Sequence, residues 1–359
     1  MARSSEAGSL SLEQQRLLNK ARVLGPATAL PVILEDGELA RICAVILADI
    51  GRPDLIPKEV TISEVQSWDY YGLPLDWFSS QPKHKGFLEF YTRCVHEVQD
   101  FETYFKCLCE LHKRRRKYER IMSAQPIPTM LQVAPRALLE FGILATPALA
   151  SWLTWRKWFY DIDNRAAQET GYLFEPILAN ALGGTPYGAR NSPIKRRADG
   201  NKGRQVDCLV DRTVYEFKLR VTIAASGQGR FGEELDFAED CKASGFKPVL
   251  LVLDPTPSHR LDDLTKEYSR VEGEAYIGDD AWRHLEKRSG KTMATFIAKY
   301  VRRPIASLDE HAKKLLDLAV SASADGSEVS FTLQDEEQKH CWTVRRAEMQ
   351  EFAEPEDDE

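Results

Sequence analysis

Residues 205–220 read Gln205-Val-Asp-Cys-Leu-Val-Asp-Arg-Thr-Val-Tyr-Glu-Phe-Lys-Leu-Arg220. Polar and apolar residues alternate on both sides of Asp211-Arg212, which predicts two antiparallel strands joined by a two-residue turn. With the turn centred there, Val210 faces Thr213, and the same register sets Asp207 opposite Glu216. Directly opposed side chains have Cβ atoms about 4.5–5.5 Å apart. Two carboxylates that close repel each other unless positive charge sits between them. Mg²⁺ meets that need, because it takes oxygen ligands and commonly uses only one or two protein carboxylates. Alternation also puts Glu216, Lys218 and Arg220 on one face of the second strand, with Tyr215, Phe217 and Leu219 on the core face. Lys218 is therefore one step from Glu216, where an ammonium can orient or activate an attacking water and offset charge on a phosphorane-like transition state. Asp207 and Glu216 as metal ligands beside Lys218 describe a site for phosphodiester hydrolysis.

The spacing Glu-x-Lys is weak by itself, and two similar pairs occur elsewhere. Glu337 and Lys339 lie in a charged turn without an apolar residue between them, and Asp240 and Lys242 lie within a helical pattern. Only the pair at 216 and 218 has an aromatic residue between its members and an aspartate in register upstream.

Working outward, the pattern changes from period two to helical spacing on both sides. Downstream, 232–244 reads as a helix, 248–254 as a strand and 274–277 as a short strand, followed by helices around 280–288 and 292–302. A helix over 308–322, a hairpin pairing 328–333 with 340–345, and a tail complete the chain. Upstream, Ser11 with Gln14 forms a capping-box pattern, and 39–50 is a second apolar helix. Residues 57–82 read as an ordered loop, and one long helix starts at Phe87 and runs through 112–120. Residues 138–182 read as two or three helices broken at Pro147 and near Gly171. The division expected is a helical N-terminal region (1–133), a core (134–306) and a C-terminal helix, hairpin and acidic tail (307–359). The fold class is mixed α/β (α+β).

The pattern Asp207…Glu216-Phe-Lys218, with a helix before it and a helix and strand after it, resembles the PD-(D/E)XK nuclease superfamily. The stretch from Glu169 to Leu182 is similar to that superfamily's leading helix, which often carries an extra acid. Here that acid is Glu175 or Glu169, with Glu175 preferred. Val206 stands where the motif has proline. The long helical N-terminal region and the runs 216–235 and 249–254 are similar to the ApaLI-like restriction endonucleases. That resemblance implies a restriction-endonuclease-like core, a type II enzyme using Mg²⁺, a palindromic GTGCAC target and a homodimer on double-stranded DNA. A restriction system also implies a cognate methyltransferase. Two alternatives stay open on sequence: a structure-specific or repair nuclease with the same core, and a non-catalytic nucleic-acid-binding module.

Charge and composition bear on partners. The 359 residues carry a formal charge of −7, with 43% hydrophobic and 29% charged residues, which is ordinary globular material. Residues 347–359 hold seven acids and no base, so residues 1–346 balance to zero. The 15 residues 190–204 hold six bases and one acid and lead straight into the strand bearing Asp207. Lys195, Arg196, Arg197 and Arg204 in that loop are expected to hold a DNA backbone, with Arg220 beside them. Gln228 and Arg230, after the Glu216 strand, are expected to reach base edges. Lys113-Arg-Arg-Arg-Lys117 reads equally as a DNA contact or a solvated helix end.

Other classes are disfavoured. Phe141 to Trp155, an uncharged stretch that no other exceeds, is 15 residues and contains Pro147, too short to span a bilayer. The first 15 residues have no apolar run of the secretory type. Seven scattered cysteines suit reduced thiols, so a cytoplasmic location is expected. Cys107 and Cys109 on one helix point about 200° apart, which excludes a shared metal there.

Overall fold

The computed structural model describes residues 10–25, 30–60, 68–80, 83–200, 202–219, 228–312 and 315–347. Its centre is a five-stranded sheet, in the spatial order β1 (Thr185–Tyr187), β2 (Val206–Val210), β3 (Thr213–Lys218), β4 (Lys247–Val252) and β5 (Glu274–Ile277). The first three strands are antiparallel, whereas β3, β4 and β5 are parallel. The hairpin register is the one expected, with Cys208 opposite Tyr215, Leu209 opposite Val214 and Val210 opposite Thr213. Asp211 takes the left-handed backbone the turn requires, at φ 52°, which its short polar side chain tolerates.

Helices occur upstream of and between these strands. The N-terminal set is α1 (Leu12–Arg22), α2 (Asp36–Asp49), α3 (Phe87–Glu97), α4 (Phe101–Ala124) and α5 (Met130–Ala137). The 36-residue α6 (Thr146–Ala181) leads into the sheet. Helices α7 (Gln228–Ala243) and α8 (His259–Arg270) make the crossovers between the parallel strands. After β5 come α9 (Asp279–Arg288) and α10 (Gly290–Ile297), the latter continuing through a π turn into α11 (Arg303–His311).

Side-chain alternation divides the sheet's two faces between different helices. Val214, Leu250 and Val252 pack on Phe237, Cys241, Leu261 and Tyr268 of α7 and α8. Cys208, Tyr215, Phe217, Val249 and Leu251 share a cluster with Ile177, Leu178 and Ala181 of α6 and with the N-terminal helices. That cluster extends to Tyr104 and Phe105 of α4, so the helical region and one sheet face are buried in continuous contact. A three-stranded antiparallel sheet, β6 (Asp317–Ala322), β7 (Glu328–Gln334) and β8 (Lys339–Arg345), docks Val329, Phe331 and Val344 on Trp158 and Met122.

Several expectations hold. The Ser11 capping box is formed, with Gln14 N–H donating to Ser11 Oγ at 3.1 Å and Ser11 N–H donating to Gln14 Oε1 at 3.0 Å. The strand at 274–277 and the 328–345 hairpin are also present.

Others are corrected. The helix starting at Phe87 is interrupted after Glu97, because Asp100 adopts φ 58° before α4 begins. The two or three helices of 138–182 are one: Pro147 occupies the first turn of α6, where its missing N–H costs nothing, and Gly171 does not break it. The helix at 308–322 ends at His311, and Asp317–Ala322 is instead a strand that completes the C-terminal sheet. The acidic tail from residue 348 and parts of the 57–82 stretch lie outside the described residues; within that stretch Leu75–Ser79 is a short helix where a loop was expected. Among the described residues, no helix is long and apolar enough to cross a membrane.

The approach of α6 to β2 depends on Gly184. A Cβ there would lie 2.2 Å from Cys208 Sγ and 2.9 Å from the Leu209 carbonyl oxygen. Gly184→Ala is therefore expected to cost about 1–3 kcal/mol by overpacking. Gly188→Ala, at an open position with φ −69°, is expected to leave stability nearly unchanged. Thermal denaturation of the two variants side by side tests the contrast.

Candidate active site

The hairpin register carried one step beyond Cys208 and Tyr215 brings Asp207 and Glu216 to opposite positions on β2 and β3. Asp207 is buried, and its Oδ2 accepts a hydrogen bond from the Phe217 backbone N–H at 2.8 Å. That bond ties the carboxylate to the neighbouring strand and fixes where it points. Glu216 and Lys218 alternate with Phe217 as expected, and Lys218 Nζ lies 3.0 Å from Glu216 Oε1. The same ammonium lies 3.2 Å from Glu234 Oε1 on α7. Glu175, near the end of α6, lies in the electrostatic field of Glu216 and Lys218.

The electrostatics follow from crowding. Burial pushes the Asp207 carboxyl well above its usual range, and the charges of Glu216 and Glu175 add to the push. The Phe217 N–H and Lys218 oppose it without overcoming it. Burial and the charge on Glu216 likewise raise Glu175, against the pull of Lys218. Burial works against the charge on Lys218, but Glu216 and Glu234 outweigh it, and its pKa rises. Lys218 is thus held as an ammonium.

Two acids, Glu216 and Glu234, thus contact the Lys218 ammonium, and the charges of Asp207 and Glu175 crowd the same half-buried centre, an environment a hard divalent cation relieves. The carboxylate oxygens of Asp207 and Glu216 are the donor type Mg²⁺ prefers. Among the described residues, no group of three or more His, Cys, Asp or Glu side chains is placed to hold a metal ion, so a metal here would rest on the carboxylate pair alone. A metal held here would keep positions for water and substrate oxygens, as Mg²⁺ commonly does.

Glu234 is absent from the sequence reading. A signal for it existed: in a parallel strand–helix–strand unit, the crossover helix starts beside the carboxyl end of the strand it leaves. An acid in the first two turns of α7 is therefore placed to meet Lys218 at the end of β3. The other auxiliary candidate, Glu169, is engaged elsewhere, bonded to Arg114 and, at 2.6 Å, to Lys117 of α4.

The basic loop is anchored within the molecule. Arg204 is buried and donates through Nε to Asp240 Oδ2 at 2.6 Å. Arg196 pairs with Glu233 at 2.9 Å, and Arg197 pairs with Glu239 and Asp240. These arginines meet the acidic face of α7. Lys195 is exposed, with its backbone N–H bonded to Ser244 Oγ. Arg220 lies outside the described residues. Gln228 and Arg230 stand in the first turn of α7, and their side chains lie outside the description. The run 113–117 is also largely engaged: Lys113 is buried on Glu110, Arg114 and Lys117 bind Glu169, and Arg115 covers the rings of Tyr70 and Tyr71. Cys107 and Cys109 are both buried in α4, and burial pushes the Cys107 thiol up to about 12.

The family model for ApaLI-like restriction endonucleases matches residues 78–302. The type II restriction enzyme ApaLI of Acetobacter pasteurianus is 47% identical to this chain over 376 residues, covering 98% of each. No solved structure matches.

The strain at Asp207 has a measurable sign. Its folded pKa lies above the ordinary aspartate value of 3.8. As pH rises past that value, the unfolded chain loses a proton that the folded state retains. Stability therefore falls through that window, and the penalty persists at neutral pH. Asp207→Asn keeps an oxygen to accept the Phe217 N–H and removes the charge. In EDTA, this variant is expected to melt above the parent protein at pH 7, with the gap closing below about pH 4. Equal melting temperatures at pH 7 would contradict a buried charge at this position.

Proposed function

The chain belongs to the ApaLI-like restriction endonucleases, sequence-specific enzymes that cut double-stranded DNA, and on that premise we propose that Asp207 and Glu216 bind Mg²⁺, with Lys218 beside them and Glu175 as auxiliary acid. The observation that carries this assignment is the hairpin register, which opposes two carboxylates and sets an ammonium one step along the strand. When bound, Mg²⁺ supplies Lewis-acid polarisation of the scissile phosphate and makes a coordinated water more acidic.

The chain's own residues do the remaining work. Lys218, protonated and within reach of Glu216, faces the attacking oxygen as a cation and offsets negative charge as it builds on the phosphate. In the metal-free protein Glu216 and Glu234 raise its pKa and hold it as an ammonium, which suits a role through charge and orientation. Glu234 shares the ammonium and fixes its direction, and so is a positioning residue. Glu175, raised by burial and Glu216, is suited to hold a proton or a water at the same centre.

The target under this reading is the palindrome GTGCAC. Two copies of the chain related by a two-fold axis each cut one strand, mirroring the symmetry of the site. Lys195 remains an exposed candidate for phosphate contact, as do Arg220, Gln228 and Arg230 for DNA contact generally. A separate methyltransferase modifying the same sequence protects the host, and the enzyme works in the cytoplasm beside it.

Digestion of unmethylated phage DNA in Mg²⁺ buffer, with mapping of the ends, tests the reading: discrete fragments ending within GTGCAC are expected. Asp207→Ala and Lys218→Ala should each lower cleavage at least about a thousandfold while DNA binding in Ca²⁺ is largely kept. Full cleavage by either variant would sink the assignment. Glu234→Gln should lower kcat by about tenfold to a hundredfold with little change in KM, since it acts through Lys218. A loss confined to KM would place Glu234 in substrate binding instead.

A further inference from the structure

Helix α5 and the start of α6 form a helical hairpin that packs on itself. Its inner face is a small cluster of Val133, Ala137, Leu149 and Leu153, separate from the other hydrophobic clusters of the molecule. Its outer side and tip are uncovered. Leu131, Leu138, Leu139, Phe141 and Ile143 are between 64% and 90% exposed, and Trp152 is 49% exposed. At roughly 150–250 Å² for a large apolar side chain, these residues with Met130 and Leu144 leave on the order of 800 Å² of apolar surface in water. The largest apolar patch on a monomer is usually about 300–600 Å². A standard protein–protein interface buries about 800 Å² on each partner.

Charge indicates what covers the patch. Residues 137–155 contain a single charged side chain, Glu140. That carboxylate is already satisfied within the hairpin, bonded to Arg156 and accepting the Trp152 Nε1–H at 2.9 Å. The apolar tip, residues 137–144, therefore offers no cations to a phosphate backbone, and the exposed Arg136 stands at its edge. That tip meets a copy of itself without placing like charges at its centre, as an isologous two-fold contact requires.

We propose that this hairpin is the surface through which two copies of the chain pair, residues 138–144 of one copy packing on the same region of the other. The proposal rests on the homodimer reading above and gives it a location. It also constrains the arrangement. Glu175 lies on the same helix as the hairpin, 29 residues beyond Thr146, or about 44 Å at 1.5 Å per residue. For both active sites to reach one duplex, the two α6 helices must run broadly along the two-fold axis, with DNA at their carboxyl ends.

Sedimentation velocity of the full chain without DNA tests this. The parent protein is expected to sediment as a dimer. Leu139→Glu combined with Ile143→Glu, both at exposed positions, is expected to weaken self-association at least about 100-fold and leave a folded monomer whose melting temperature no longer rises with protein concentration. Leu308→Glu with Leu315→Glu, at two exposed leucines outside the hairpin (73% and 81% exposed), is expected to remain a dimer. The proposal is overturned if the 139/143 variant stays dimeric, or if the 308/315 variant is the one that dissociates. Should the 139/143 variant fail to fold, hydrogen exchange of the parent protein at two concentrations decides: amides of 138–144 gain protection with concentration if the hairpin is the interface, and unchanged protection overturns it. Plasmid digestion run alongside separates the two readings. A parent monomer that still cleaves ends the interface proposal and spares the nuclease assignment. A dimer lost in the 139/143 variant, with no cleavage by the parent, does the reverse.

Discussion

Two carboxylates on neighbouring strands, Asp207 and Glu216, face each other where water is largely excluded, and the rest of the centre can be understood as a response to that repulsion. The Phe217 N–H holds Asp207 in place at 2.8 Å, and Lys218 is shared between Glu216 and Glu234. These contacts reduce the repulsion without cancelling it, since burial still pushes the Asp207 carboxyl well up. The fold thus keeps an unmet demand for positive charge at the carboxyl end of β3. An enzyme whose chemistry uses Mg²⁺ gains from such a demand, because it makes cation binding favourable, and the cost falls on the stability of the metal-free chain.

Much of this was legible in residues 205–220, because a two-residue turn fixes register for both strands at once. Given Asp211-Arg212 as the turn, the pairing of Val210 with Thr213 determines every later pair. The same local reasoning gave the Ser11 cap. It failed where the deciding partner is distant or where a breaker sits in a harmless position. Pro147 looked like a break, yet it occupies the first turn of α6 and marks that helix's start. Asp100 interrupts an apolar period that reads as continuous, because a single left-handed residue redirects the chain while the spacing on each side stays helical. Residues 317–322 carry a helical spacing in sequence, and their place as a third strand beside β7 exists only once that hairpin has formed.

The basic loop shows the same limit in electrostatic form. Six bases in 15 residues look like a phosphate-binding surface, and sequence proximity to Asp207 strengthens that impression. The acids that answer them, Glu233, Glu239 and Asp240, come 36 to 43 residues later and return through the α7 crossover. Arg196, Arg197 and Arg204 consequently fasten the loop to α7, with Arg204 buried against Asp240. Their local charge is real, but most of it is compensated across the fold. Net charge says as little about partners, because its excess of acid lies in residues 347–359.

Helix α6 joins the exposed hairpin at one end to Glu175 near the other in 36 continuous residues. Mechanically it is a lever. Over about 44 Å, a tilt of 5° at the hairpin end displaces the far end by about 4 Å, whereas catalytic groups need placement to within about 0.5 Å. The far end is held by Ile177, Leu178 and Ala181 in the sheet cluster, and the middle by Trp158 and Ile162. A load on the hairpin therefore reaches the neighbourhood of Glu175 only as far as that packing lets the helix tilt.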